Sequence, residues 1–142
     1  MTCGSTLGLE DTRTKPLSVT AHVHHASMRT WFGANSEGGW ATCAVTESGF
    51  VRVSSNPRVL PHVIAVEAAR AVLSALRDVD GHRFLANDVS LSDADVPHIA
   101  GHRQVTDAQL LTLARRHGIS LLTFDAGMVA LAEGRDVELL TV

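Results

Sequence analysis

Cysteine is scarce in this chain, which excludes a class of small folds. Cys3 and Cys43 are the only two, they lie far apart, and no CxxC pair is present. A disulfide-stapled scaffold, a zinc knuckle and a thioredoxin-like redox motif all need more cysteines or closer ones. The composition is therefore typical of a protein from a reducing cytosol, and we expect a cytoplasmic location.

Long apolar runs and excess positive charge are also missing. No stretch approaches the roughly 20 apolar residues that cross a bilayer, and the first twenty residues lack the continuous apolar segment of a signal peptide. We expect neither export nor membrane insertion. The formal net charge of −3 argues against binding nucleic acid through overall positive charge, although it leaves open a local basic patch or metal-mediated phosphate contacts.

What the chain does contain is an alternation of strand and helix patterns in 142 residues, enough for one domain with a sizeable core. Residues 1–20 lack apolar periodicity and are interpreted as loop or tail. Hydrophobic periodicity and turn signals predict helices at 26–32, 46–53, 61–76, 106–116 and 127–132, a helical turn or short helix at 92–99, and strands at 40–45, 82–85, 119–124 and 137–142. This order favours a parallel sheet with helices on both faces and an active site outside the carboxyl ends of the strands.

Three carboxylates occupy positions suited to such a site. Glu47 and Asp125 each follow a predicted strand at its corner with a helix, and Asp107 lies in Thr106-Asp107-Ala108-Gln109, which matches a capping box with Thr106 as N-cap. Carboxylates gathered at such corners can hold Mg²⁺ or Mn²⁺, because hard cations prefer oxygen ligands. For each residue alone, stabilisation by the helix macrodipole, worth ~0.3–1 kcal/mol, is the simpler interpretation.

Several segments together resemble a known family. They are Trp40–Arg52, Gly101–Asp107 and Leu122–Asp125, preceded by His22–His25 and Trp31–Phe32. In order and spacing they resemble the PIN-domain VapC toxins, over about residues 21–142. The resemblance implies a PIN-like three-layer α/β/α fold with a central parallel sheet whose first strand is missing or altered. It also implies a PIN-like domain at 21–142 after an atypical, poorly ordered segment at 1–20.

The same resemblance implies a function and a site. Glu47, Asp107 and Asp125 match the second, third and fourth acidic positions of the family, with Asp107 expected to ligate Mg²⁺ or Mn²⁺. The implied activity is that of a metal-dependent endoribonuclease toxin of a type II toxin–antitoxin system, which hydrolyses RNA phosphodiester bonds by in-line attack of water. The implied partners are a VapB-like antitoxin and RNA, and family members are often homodimers.

The start of the chain departs from the family pattern. The family opens with an apolar strand that ends in Asp, followed after one residue by Asn or Ser, and no such segment stands here. Counting back from His22 reaches Glu10 or Asp11, but Thr6-Leu7-Gly8-Leu9 is a weak strand pattern. The alternative function is therefore a catalytically impaired or inactive VapC-like protein that retains antitoxin binding.

Other polar and aromatic groups have competing interpretations. His22, His24 and His25 form either a transition-metal site or, more simply, a histidine-rich helix start. The larger aromatic side chains either stack nucleobases or, as we expect, pack in the core: Trp31, Trp40 and Phe50. The arginines nearest the motifs either contact phosphates or are simply solvated: Arg52, Arg58 and Arg103.

Overall fold

The computed structural model describes the backbone of residues 5–7 and 17–141 and the side chains of residues 26–141. Within this described part of the chain, five strands and five α-helices follow one another. In chain order they are β1 (Ser5–Leu7), α1 (Leu17–Asn35), β2 (Trp40–Cys43), α2 (Ala44–Ser54), α3 (Val66–Arg77), β3 (His82–Leu85), α4 (Val105–Arg116), β4 (Leu121–Thr123), α5 (Ala126–Leu131) and β5 (Val137–Leu139).

The strands form one parallel sheet in the order β3-β2-β1-β4-β5. The central strand β1 pairs with β2 through Thr6 and Ala41, and with β4 through Thr6 and Leu121. Crossover helices connect parallel strands, so the expected α/β fold with helices on both faces is confirmed. The interpretation of residues 1–20 as loop or tail was wrong for Ser5–Leu7, which is a central strand, and for the start of α1.

The central strands alternate their side chains between the two faces of the sheet. On one face, Ala41 and Cys43 of β2 and Leu121 of β4 join a buried cluster with α4 and α5. On the other face, Trp40 and Leu122 pack with Trp31 of α1. Helices therefore cover both faces, and the three-layer α/β/α arrangement expected from the resemblance is confirmed.

Helix α4 is the main core helix, and α3 lies nearer the surface. Five consecutive residues of α4 from Leu110 to Ala114 are buried, whereas Ala69 is the one buried residue of α3. The predicted helix at 61–76 was too long at its start, because the helix begins at Val66. Val63, Ile64, Val66 and Val72 are all at least 40% exposed.

Short loops account for the remaining differences from the predicted elements. Strand 82–85 was predicted with its observed bounds, but strand β2 ends at Cys43 because the Thr46 hydroxyl accepts a hydrogen bond from Cys43 N at 2.9 Å and starts α2. No helix forms at 92–99; Val96 N donates to Asp93 O at 3.2 Å in a single turn, and the residues after it are irregular. Among the described residues, no helix combines the length and apolar character that a membrane span requires.

Candidate active site

The predicted site lies at the edge of the sheet where the parallel strands end. Strands β2 and β4 flank β1, and their carboxyl ends lead directly to Glu47 on α2 and to Asp125. Only four residues separate the end of α4 from the start of β4, so the C-terminus of α4 lies near the amino edge of the sheet. Because such a helix runs antiparallel to the strands it packs on, its start, with Asp107, lies toward the carboxyl edge.

Glu47 lies in the first turn of α2 with its side chain only 13% exposed. The Thr42 hydroxyl donates a hydrogen bond to Glu47 Oε1 at 2.6 Å, and the Arg77 guanidinium nitrogen Nε lies 3.6 Å from the same oxygen. Both contacts go to Oε1. The carboxylate is therefore held by β2 and α3 on one side, through one of its two oxygens.

His82, the first residue of β3, extends this arrangement. Its Nε2 lies 2.8 Å from Thr42 Oγ1, and its ring packs against Trp40 with centroids 4.6 Å apart. Burial lowers the pKa of His82 from its ordinary value of 6.5, the Arg77 charge lowers it further, and the Glu47 charge opposes both. His82 is therefore biased toward the neutral ring, which donates from one nitrogen only.

Arg77 links Glu47 to an open cavity of about 520 Å³ between α3 and β3. Its guanidinium lies 4.8 Å from the ring centroid of Phe84, an aromatic side chain that is 45% exposed. Glu47 and His82 also line the cavity. The cationic group therefore stands between the Glu47 carboxylate and an exposed aromatic face.

Asp125 forms the N-cap of α5. Its Oδ1 accepts a hydrogen bond from Gly127 N at 2.7 Å, and its own backbone N–H donates to Thr123 Oγ1 at 3.0 Å. A Cβ added at Gly127 would lie 3.0 Å from Asp125 Oδ1, so the missing side chain at 127 leaves room for this close cap. One oxygen of Asp125 serves the helix, and Oδ2 remains for other partners.

Asp107 is the third residue of α4 and is half-buried. The predicted capping box is wrong: α4 begins at Val105, its N-cap is Gln104, and the Gln104 side chain makes no capping hydrogen bond. The Gln109 side chain instead donates to Val89 O at 3.2 Å. Asp107 still lies in the first turn, where the helix macrodipole favours a negative charge.

The three carboxylates share one edge, but their described side chains are not gathered around one point. Among residues 26–141, no group of three or more His, Cys, Asp or Glu side chains is arranged to hold a metal ion. Glu10 and Asp11, the suggested substitutes for the first acid of the family, lie outside the described residues. The chemistry of the donors nevertheless fits a hard cation, because each is a carboxylate oxygen.

The tryptophans and arginines that had competing interpretations lie in the core and on the surface, respectively. Trp31 and Trp40 are buried, which confirms core packing, and Phe50 is half-buried. Arg52, Arg58 and Arg103 are all exposed. The side chains of His22, His24 and His25 lie outside the described residues.

Sequence reasoning missed three residues that contact or approach Glu47: Thr42, Arg77 and His82. A partial signal existed, because Trp40 and Thr42 have the period-two spacing that places side chains on one face of a strand. The pairing of β2 with β3, which brings His82 to Thr42, is not readable from local pattern.

Comparison with known proteins decides the family, although no family model matches the chain. It is 63% identical over 129 residues to ribonuclease VapC38 of Mycobacterium tuberculosis (strain ATCC 25618 / H37Rv), across 89% of this chain and 92% of that protein. The chain belongs to the VapC family of PIN-domain ribonucleases. VapC39 of the same organism is 43% identical across 84% of this chain and 88% of its own length, and VapC44 is 40% identical across 78% and 80%. The resemblance drawn from the motifs is thereby confirmed.

Proposed function

We propose that this chain is a metal-dependent endoribonuclease toxin of a type II toxin–antitoxin system, and that it hydrolyses RNA phosphodiester bonds. The observation that carries the proposal is that Glu47 and Asp125 follow the two strands on either side of β1 in an all-parallel sheet. The ribonuclease names of relatives that align over most of the chain support the reaction class.

The proposed ligands of Mg²⁺ or Mn²⁺ are Glu47, Asp107 and Asp125. Glu47 contributes Oε2 and Asp125 contributes Oδ2, because the described contacts of these residues engage Oε1 and Oδ1. A bound divalent cation supplies a nucleophilic water and neutralises charge on the phosphate.

Arg77 has a defined role in this proposal. Its guanidinium lies 3.6 Å from the Glu47 carboxylate and neutralises part of its charge. It also stacks on the exposed Phe84 ring. Arg77 lines the open cavity beside Glu47, so its guanidinium would be available to a phosphate oxygen of bound RNA.

The proposed setting follows from the family. A VapB-like antitoxin and RNA are the partners, the toxin forms a homodimer, and the activity is cytoplasmic. We also propose a PIN-like domain at residues 21–142, preceded by an atypical segment at 1–20 that supplies strand β1, Ser5–Leu7, to its sheet.

A second function is favoured by one specific observation. The residue after β1 is Gly8, where the family's first strand ends in Asp. Losing one carboxylate weakens a Mg²⁺ site, whose affinity depends on few protein charges. The alternative is therefore a catalytically impaired or inactive VapC-like protein that retains antitoxin binding.

RNA cleavage by the purified chain with Mg²⁺ or Mn²⁺ separates the two functions. We expect metal-dependent cutting that is lost with EDTA and with Asp107→Asn. Asp136→Asn is the matched control, because Asp136 precedes β5 at the opposite edge of the sheet and its positive φ of 60° suits Asn. A folded chain that binds a VapB-like antitoxin but never cuts RNA contradicts the enzyme proposal and supports the alternative.

A further inference from the structure

We propose that Thr42 and His82 are positioning residues for Glu47 that fix which oxygen of its carboxylate is offered to the metal. The inference rests on the proposed function, and it concerns residues outside the acidic set. Three elements meet here: His82 begins β3, Thr42 lies in β2 and Glu47 lies in α2. The two hydrogen bonds that join them measure 2.8 and 2.6 Å.

The direction of this chain of hydrogen bonds is fixed by chemistry. An ionised carboxylate only accepts, so the single hydroxyl proton of Thr42 goes to Glu47 Oε1. The Thr42 oxygen then accepts from His82, which must carry its proton on Nε2. Packing of the His82 ring against Trp40 keeps that nitrogen aimed at β2. The bonds therefore run from His82 through Thr42 to Glu47, and each donor has one acceptor.

Burial makes this arrangement specific. Thr42 is 6% exposed and the Glu47 side chain is 13% exposed, so water competes little for either group. A Glu side chain has several rotamers, and a charge-assisted hydrogen bond of 2.6 Å selects among them. Because the described contacts of Glu47 fall on Oε1, Oε2 is the oxygen left for a metal ion.

The first test measures the affinity of the protein for Mn²⁺ by electron paramagnetic resonance, in the absence of RNA. Thr42→Val keeps the shape of the side chain and removes the donor, and outer partners of metal ligands typically contribute about 10- to 100-fold to metal affinity. We expect a loss of Mn²⁺ affinity in that range, recovery of most of it with Thr42→Ser, and a smaller loss with His82→Phe, which keeps an aromatic ring against Trp40. Circular dichroism and the unfolding temperature check that each variant folds.

The matched control is Thr112→Val. Thr112 is 1% exposed and its hydroxyl donates to Ala108 O within α4, so this variant also removes a hydrogen bond from a buried threonine. We expect its Mn²⁺ affinity to equal that of the wild type. An equal loss in both valine variants means that Thr42 acts only through general packing, which overturns the inference.

The second test places Thr42→Val in a Glu47→Gln background. If Thr42 acts through Glu47, the double variant binds Mn²⁺ no more weakly than Glu47→Gln alone, because coupled residues are not additive. Additive losses overturn the inference. If the wild-type protein binds Mn²⁺ and cuts RNA, and Thr42→Val binds Mn²⁺ as tightly, only this inference is overturned. If the wild-type protein neither binds Mn²⁺ nor cuts RNA, the proposed function is overturned together with the inference.

Discussion

The Asp125 carboxylate accepts a hydrogen bond from the backbone of Gly127 at 2.7 Å, so a proposed metal ligand is also the N-cap of α5. The two roles use different oxygens. Capping engages Oδ1, and ligation is assigned to Oδ2. A single residue therefore connects the stability of the last helix to the chemistry of the site, and the two contributions can be separated by mutation.

Comparing Asp125→Asn with Asp125→Ala separates the capping role of Asp125 from its proposed role as a metal ligand. Asn is as good an N-cap as Asp, so we expect Asp125→Asn to lose RNA cleavage with little change in the free energy of unfolding. Asp125→Ala removes the cap as well and should lower stability by about 1 kcal/mol. Denaturant unfolding and RNA cleavage measure the two effects. Equal stability of the two variants would show that the cap contributes nothing.

The turn before β3 gives a prediction about the strand that carries His82. Gly81 has a φ of 86°, and a Cβ at this position would lie 2.9 Å from Ser36 O. Its carbonyl also accepts a hydrogen bond from Trp40 N at 3.1 Å, which aligns the starts of β2 and β3. We expect Gly81→Ala to destabilise the fold by about 1–3 kcal/mol, the cost of a side chain in a disfavoured backbone region.

Gly33→Ala is the control for that experiment. Gly33 lies within α1, and a Cβ added there meets nothing within 4 Å. Alanine has the higher helix propensity, so the unfolding temperature should stay unchanged or rise. A similar loss of stability in both variants would mean that the turn at Gly81 has no special role.

The sequence predicted the parts of this molecule that depend on local pattern. Strand 82–85 and the order of α4, β4, α5 and β5 follow from hydrophobic runs and turn residues, and the same pattern placed Glu47 after β2 and Asp125 after β4. The contacts of Glu47 with Thr42 and Arg77 were not predicted, because they depend on the packing of α2 and α3 against the sheet. Local pattern cannot supply such tertiary contacts.

The central strand β1 was not predicted either, because its local sequence pattern is weak. Ser5–Leu7 has little intrinsic strand signal, yet both of its edges pair with neighbours, through Trp40 and Ala41 of β2 and through Leu121 and Leu122 of β4. Tertiary context outweighs propensity in a strand that is bonded on both sides. Val63, Ile64, Val66 and Val72 belong to the apolar pattern of the helix predicted at 61–76, yet all four are exposed, because apolar spacing gives a buried face only where a partner covers it.

Arg116 gives a prediction about the irregular segment before α4. Its guanidinium donates to Asp93 and Asp95 at 2.7 Å each, and these contacts tie the segment to the last turn of α4. Arg116 is also the main cause of the lowered pKa of Asp95. We expect Arg116→Gln to increase amide hydrogen exchange in the segment from 88 to 96 and to leave β4 unchanged. Unchanged exchange in that segment would show that Arg116 does not order it.

The pKa of His82 predicts how stability depends on pH. Burial lowers this pKa below the ordinary 6.5, and Arg77 adds to the effect. Between these two pKa values the unfolded chain binds a proton that the folded chain does not, so the free energy of unfolding falls as pH drops below about 6.5 and levels off below the folded pKa. His82→Gln keeps a donor for Thr42 and cannot titrate. Thermal unfolding of both proteins from pH 7.5 to 5 should show a smaller loss in the variant, whereas parallel curves would exclude His82 as a source of the pH dependence.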